Sequence, residues 1–209
     1  AGFAKFMIGQ KDPMYTIWTN QAAYAWNGLG GYGVAWSGRE KQVKVTISGF
    51  YIDLMQANVN ADDVDAAYVQ TLFPKANIGY TANFGDSMIN LGAVGNYNKI
   101  QAKRNTLVKT QDDGTTTDMS ALKNKKIISY MAYMTTKIVA GPLTIIGSAD
   151  YGVNEGNMGL GDYNGSTEFK KALLFGGKYK NTTTYEGAIE AMYNLGAFSL
   201  GAGGGYVHS

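Results

Sequence analysis

The residues able to do chemistry are few and scattered. His208 is the sole histidine and cysteine is absent. Disulfides, thiolate metal sites and a cysteine nucleophile are therefore excluded, and a Ser-His-Asp arrangement would have to be built on a histidine beside the last residue. Asp62-Asp63-Val64-Asp65 groups the hard oxygen ligands that Ca²⁺ takes, without EF-hand spacing; an acidic solvated loop is the plainer account. GLGGYG at residues 28–33 has the glycines of a phosphate loop but neither the fingerprint spacing nor a following helix pattern. What remains is a set of isolated charges on segments of period two: Lys5, Lys44, Lys137, Asp150, Lys178, Glu186 and Glu190. Alternate residues of a strand share a face. If that face met water in a channel, opposed basic and acidic walls would create a transverse field that orients polar solutes and sets ion preference. Ordinary solvated charge is the alternative for each of them.

The elements that must position these charges are strands. In NIGYTANFGDSMINLGAVGNYN, residues 77–98, Ile78, Tyr80, Ala82 and Phe84 alternate with Asn77, Gly79, Thr81 and Asn83. After a tight turn, Ile89, Leu91, Ala93 and Tyr97 alternate with Asn90, Gly92, Asn96 and Asn98. The same pattern predicts strands over 3–10, 30–38, 42–52, 127–139, 143–153, 172–180, 185–194 and 198–207, although Phe50 and Ile52 spoil the polar side of 42–52. That makes roughly ten strands of about ten residues, the length of a tilted membrane-spanning strand. Short turns at 84–87, 139–142 and 195–197 alternate with long polar connections at 56–76, 99–125 and 154–168. The Thr-rich, charged stretch 101–126 reads as an external loop.

Composition decides between the media on the two faces. Charged residues are 16% of the 209 and glycines number 28, against a usual charged share of about 25%. A soluble sandwich buries its bulky face and shows Lys, Glu and Thr outward. Here the second face is mostly Gly, Ser, Thr and Asn, which suits a wet interior wall. Tyr97, Tyr151, Tyr179, Tyr185, Tyr193, Phe84, Phe198 and Tyr206 fall near the ends of apolar faces, where amphipathic rings favour a bilayer interface. The expected fold class is all-β: an antiparallel transmembrane β-barrel with short periplasmic turns and long external loops, filling residues 1–209 as one domain. A soluble β-protein and a Gly/Tyr-rich fibrous assembly are the competing readings. The net charge of +2 is too small to argue for nucleic acid.

The stretch FAKFMIGQKDPMYTIWTNQAAYAWNGLGGYGVAWSG at residues 3–38 resembles the bacterial outer-membrane porins. In that family a strand ending in Gly and a basic or amide residue is followed by a long loop folding back into the pore. Here Gly9-Gln10 would close the strand, 11–29 would be the inward loop carrying Lys11 and Asp12, and Leu29-Gly30-Gly31-Tyr32 would open the next strand. Tyr15, Trp18, Tyr24 and Trp26 on that loop would pack it against the wall or form a stacking surface for sugars. The resemblance implies an integral outer-membrane protein, passive diffusion of small hydrophilic solutes and ions, no cofactor, and a homotrimer. It also makes Lys5, Lys11, Asp12, Lys44, Lys137, Asp150, Lys178, Glu186 and Glu190 pore-lining candidates. Ten strands fall short of the 16–18 that leave an aqueous channel, so the chain is expected to be an internal part of a larger barrel; a complete ten-stranded barrel competes. A structural or adhesive barrel without an open channel is the alternative function, and a barrel enzyme the third.

Overall fold

The computed structural model describes residues 3–15, 39–56, 69–101, 108–110, 114, 116–118, 120–160, 170–175 and 178–208. In chain order the strands are β1 (Lys5–Lys11), β2 (Glu40–Ile47), β3 (Phe50–Met55), β4 (Val69–Phe84), β5 (Ser87–Ile100), β6 (Val108–Thr110), β7 (Thr116–Asp118), β8 (Lys126–Ala140), β9 (Leu143–Val153), β10 (Leu173–Phe175), β11 (Lys178–Lys180), β12 (Thr183–Asn194) and β13 (Ser199–His208). Nine of them form one sheet in the order β1-β2-β3-β4-β5-β8-β9-β12-β13, and β6-β7 and β10-β11 are separate two-stranded ribbons. Every neighbour pair in the large sheet is antiparallel. Among the described residues no pairing joins β1 to β13.

Local chemistry sets the turns. Ser48 and Gly49 both have positive φ, 48° and 89°, between the paired residues Ile47 and Phe50. This is the two-residue hairpin whose twist matches the flanking strands. It explains the spoiled alternation expected over 42–52: the segment is two strands, and the turn resets the phase so that Phe50 and Ile52 rejoin the apolar face. Gly85 (φ 62°), Gly141 (φ 59°) and Gly196 (φ 83°) serve the other short turns. Short turns therefore join β2-β3, β4-β5, β8-β9 and β12-β13 at one end of the sheet. The long connections lie at the opposite end, as the sequence pattern predicts.

The polarity of the sheet is inverted relative to a soluble protein. Ile8, Phe50, Ile52, Ile78, Leu91, Ile128, Ile189 and Leu200 are each more than half exposed, whereas Asn77, Asn90, Asn98, Asp53 and Thr184 on the other face are 0–1% exposed. The register confirms one face for the polar set: Lys44 lies opposite Asp53, Asp53 opposite Asn77, Asn90 opposite Thr135 and Asp150 opposite Glu186. On the apolar face, Tyr97, Tyr130, Tyr151, Tyr185 and Tyr206 form a band across β5, β8, β9, β12 and β13 towards the long-loop end. Phe84, Tyr193 and Phe198 stand at the other end, with aliphatic residues between. Tyr185 and Tyr193 are eight residues apart, about 26 Å along a strand at ~3.3 Å per residue. At the ~40° tilt usual for such strands this is about 20 Å of height, which fits within a lipid-facing band about 25 Å tall.

Three expectations need correction. The segment 56–76 is not all connection, because β4 begins at Val69. A register shift around Phe73 accommodates Pro74, which cannot donate to a ladder, and leaves Leu72 and Phe73 both exposed; the bulge hides the period of two. The segment 172–180 is not a wall strand but the β10-β11 ribbon. Within 101–126, β6 and β7 pair as a ribbon and Leu122 is fully buried. The expected strand 30–38, loop residues beyond Tyr15, the glycines at 28–33 and the Asp62–Asp65 cluster lie outside the described residues.

Candidate functional site

The polar face is where the chemistry collects, and two inserted segments pack on it. The first is the continuation of β1. Gln42 donates to the Lys11 carbonyl at 2.6 Å, and Asn90 donates to the Met14 carbonyl at 2.8 Å. These bonds draw residues 11–15 across β2 and as far as β5, which is the start of the inward loop expected from 11–29. The second segment follows β9. Asn154 turns the chain with φ 56°, a left-handed conformation asparagine tolerates. Its side chain donates to Ile128 O (3.0 Å) and Asn181 Oδ1 (2.9 Å) and accepts from Thr182 N (2.9 Å). The following one-turn 3₁₀ helix, Glu155–Met158, is wholly buried, so 154–160 is not the external loop that its polar sequence predicts.

The two segments meet at Lys75. Its ammonium pairs with Glu40 and donates to Tyr15 Oη at 3.1 Å and to the Met158 carbonyl at 3.2 Å. Tyr15 also donates to Glu40 Oε1 at 3.2 Å and meets the Tyr133 ring edge-on at 5.7 Å. Lys75 and Glu40 are fully buried as side chains, so each needs the other. Around them Tyr15, Met55, Val94, Met131, Tyr133, Met158 and Leu160 form a small apolar cluster. The sequence signal for Lys75 was masked by the bulge at Pro74.

A second polar construction spans β3, β4, β5 and β8. Tyr51 faces Gly79, Gly79 faces Gly92 and Gly92 faces Tyr133. The two rings lie over the two glycines, and their hydroxyls meet at 2.6 Å. Tyr51 donates to Asn90 Oδ1 at 2.8 Å and Tyr133 to Asn77 Oδ1 at 2.9 Å. A Cβ on Gly92 would sit 2.5 Å from Tyr133 Oη and 2.6 Å from its Cζ. Gly92→Ala should therefore displace Tyr133, strand the buried amides and cost about 1–3 kcal/mol. Gly204→Ala, where an added Cβ meets nothing within 4 Å, should leave stability unchanged. Urea unfolding in detergent micelles compares the two.

The remaining expected residues divide by strand. Lys5, Lys11 and Lys44 stand on the polar face at β1 and β2, in register with Thr46, Glu40 and Asp53 respectively. Asp12 follows β1 and lies 3.9 Å from Arg39. Lys137 lies opposite Met88 and is exposed near the short turns. Asp150, Glu186 and Glu190 share the polar face on β9 and β12, yet each is at most 8% exposed. They are not the solvated charges the sequence suggests; Glu155 and Lys170 of the inserted chain pack on Asp150 and Glu186. Lys178 belongs to the β10-β11 ribbon rather than the nine-stranded sheet and is exposed. His208 stands in the aromatic band, 4.7 Å from the Tyr185 ring centroid. A cleft of about 570 Å³ opens at the short-turn end between Lys5, Met14, Thr46, Tyr51 and Thr81.

Three carboxylates converge beside the second inserted segment. Asp150, Glu155 and Glu186 place one oxygen each within 4.8 Å of one another. Lys170 lies 3.3 Å from Glu155 and pairs with Glu186. Burial pushes the Glu155 carboxyl above the ordinary carboxylate range, and Lys170 pulls it partly back.

An antiparallel sheet with apolar residues outward, polar residues covered by inserted chain, and short and long connections at opposite ends has the architecture of a transmembrane β-barrel wall. The crystal structure of the outer membrane channel DcaP of Acinetobacter baumannii superposes with a TM-score of 0.63 at 11% identity, over 97% of this chain and 53% of that one. The chain thus spans about half the length of that channel. No protein family model matches the sequence, and no curated protein does.

Proposed function

We propose that this chain forms part of the wall of an outer-membrane channel through which small hydrophilic solutes and ions diffuse passively. The observation that carries this reading is the inverted polarity of the sheet. A row of more than half-exposed Ile, Leu and Phe side chains is costly in water and favourable against lipid, where a sheet must satisfy its backbone by pairing. In this reading the polar face borders the aqueous path, the short turns are periplasmic and the long connections external. The inserted residues 11–15 and 154–160 narrow the path at mid-wall, and the cleft beside Lys5 is its mouth at the short-turn end. Trimer formation is expected from the porin resemblance and is read directly by native mass spectrometry of the detergent-extracted protein.

Charge on the polar face is unevenly distributed, with Lys5, Lys11 and Lys44 towards one edge of the sheet and Asp150, Glu186 and Glu190 on β9 and β12. Reconstituted in planar bilayers, the protein should conduct in discrete steps. Lys5→Gln with Lys137→Gln removes two exposed cations near the short-turn mouth. The reversal potential under a salt gradient should move towards cation preference, most at low salt where screening is weak. Stability should change by less than about 1 kcal/mol, since solvated charges contribute little. A protein that inserts but never conducts would instead be a structural barrel, a reading that the apolar cluster on the polar face would then favour. An unchanged reversal potential would remove these lysines from the conduction path.

A further inference from the structure

Among the described residues, the carboxylates of Asp150, Glu155 and Glu186 converge on a single paired ammonium. Three carboxylates face one ammonium, that of Lys170, all of them buried. Asp150 is 8% exposed, and neither of its carboxylate oxygens has a hydrogen-bond partner among the described residues. A separate group points the same way. Thr184 is fully buried and its hydroxyl is without a hydrogen-bond partner among the described residues. Thr184 shares a strand face with Glu186 and lies directly opposite Gly152. Gly152 is where a Cβ would collide with the Glu155 carboxylate. The Thr184 oxygen, the Glu155 carboxylate and the Asp150–Glu186 cross-strand pair therefore bound one small pocket of oxygen atoms. Buried oxygens left without donors cost free energy, and carboxylates so close repel one another unless something positive is added.

We propose that Asp150, Glu155 and Glu186, with the Thr184 hydroxyl, bind a divalent cation, Ca²⁺ by preference, which ties the inserted segment 154–160 to the wall. The donor set is all oxygen, which selects a hard cation over zinc or copper. Mg²⁺ dehydrates reluctantly and usually keeps several waters beside one or two carboxylates, whereas a buried set of three carboxylates and a hydroxyl suits Ca²⁺. The three carboxylate oxygens lie within 4.8 Å of one another, so one cation can reach all of them. The three carboxylates and the Lys170 ammonium that pairs with them sum to a formal −2 over these four groups, which a divalent ion offsets. The ligands come from both sides of a joint, with Asp150 on β9 and Glu186 on β12 belonging to the wall, and Glu155 to the inserted turn. Cation binding and the seating of that turn are therefore the same event.

The test uses the protein stripped with a chelator in detergent and titrated with CaCl₂, read by isothermal calorimetry and by thermal unfolding. The expected result is one Ca²⁺ per chain and a rise in unfolding temperature that MgCl₂ at equal concentration reproduces only weakly. Asp150→Asn should lower the affinity at least tenfold and abolish the calcium-dependent rise, while unfolding cooperatively in chelator. Lys170→Gln separates this from a purely structural ion-pair cluster. Removing the repelling ammonium should tighten Ca²⁺ binding and let calcium restore any stability lost. Wild-type protein that binds no Ca²⁺, Asp150→Asn that keeps the wild-type calcium response, or Lys170→Gln that is destabilised and unrescued by calcium would each overturn the proposal.

Discussion

Lys75→Met should destabilise the protein by about 3–5 kcal/mol, the cost of leaving one member of a buried ion pair uncompensated. Glu40, at 4% exposure, would be left with Tyr15 as its remaining donor, and the Met158 carbonyl would lose the ammonium that ties the second insertion down. Because the same ammonium holds Tyr15, the substitution should loosen both inserted segments together. Two measurements check this. Equilibrium unfolding in urea gives the stability, and single-channel conductance should rise as the mid-wall obstruction relaxes. The double substitution Lys75→Met with Glu40→Leu should recover much of the stability, since an apolar pair in place of a buried ion pair is often neutral or better. If Lys75→Met alone is neutral, then Lys75 is solvated and the insertions are held by their apolar contacts.

Leu91→Arg should cost roughly 2–4 kcal/mol if Leu91 lies at mid-bilayer. Leu91 is 52% exposed, pairs with Tyr80 on one side and Met134 on the other, and stands in the aliphatic zone between the aromatic bands. In water the same exchange would be benign, because an exposed leucine on a sheet is readily replaced by a charged residue. The size of the effect therefore reports the solvent. Refolding yields into lipid vesicles and into aqueous buffer with mild detergent separate the two cases. Thr46→Arg, on the half-exposed polar face, should be tolerated in both.

What the sequence made legible follows from the strand period. Wherever a strand is regular, as in Ile78–Phe84 or Ile189–Tyr193, one residue in two reports its face, and the face assignments for Lys5, Lys44, Lys137, Asp150, Glu186 and Glu190 agree with the sheet register. Loop-length segregation was equally readable, because short turns carry glycine at positive φ. Failures arise where the period is broken. Ser48-Gly49 resets the phase inside 42–52, and Pro74 with its bulge conceals Lys75, the residue at the centre of the polar face. The sequence KALLFGGKYK at 171–180 has the composition of a wall strand, but its two halves pair with each other. Polar segments that turn inward were the harder problem. Residues 154–160 read as solvated because Asn154, Glu155 and Asn157 are polar, yet Asn154 and Asn157 are spent on the wall, Thr182 and Ala172, and Glu155 on Lys170. Hydrogen-bond partners distant in sequence leave no periodic trace, so the carboxylate cluster that they assemble was visible only as separate charges.

The medium against the apolar face is the quantity on which the account stands, and site-directed spin labelling measures it directly. Labels would be placed singly at Ile78, Leu91, Ile189 and Leu200 on that face, and at Thr46 and Lys137 on the other, in protein reconstituted into lipid vesicles. The account predicts that oxygen relaxes the first four labels strongly while a water-soluble nickel complex barely reaches them, with the greatest contrast at Leu91 and Ile189. It predicts the reverse at Thr46 and Lys137. Strong access of the nickel complex to Ile78, Leu91, Ile189 and Leu200 would contradict it, because a face of exposed aliphatic side chains in water is not the wall of a membrane channel.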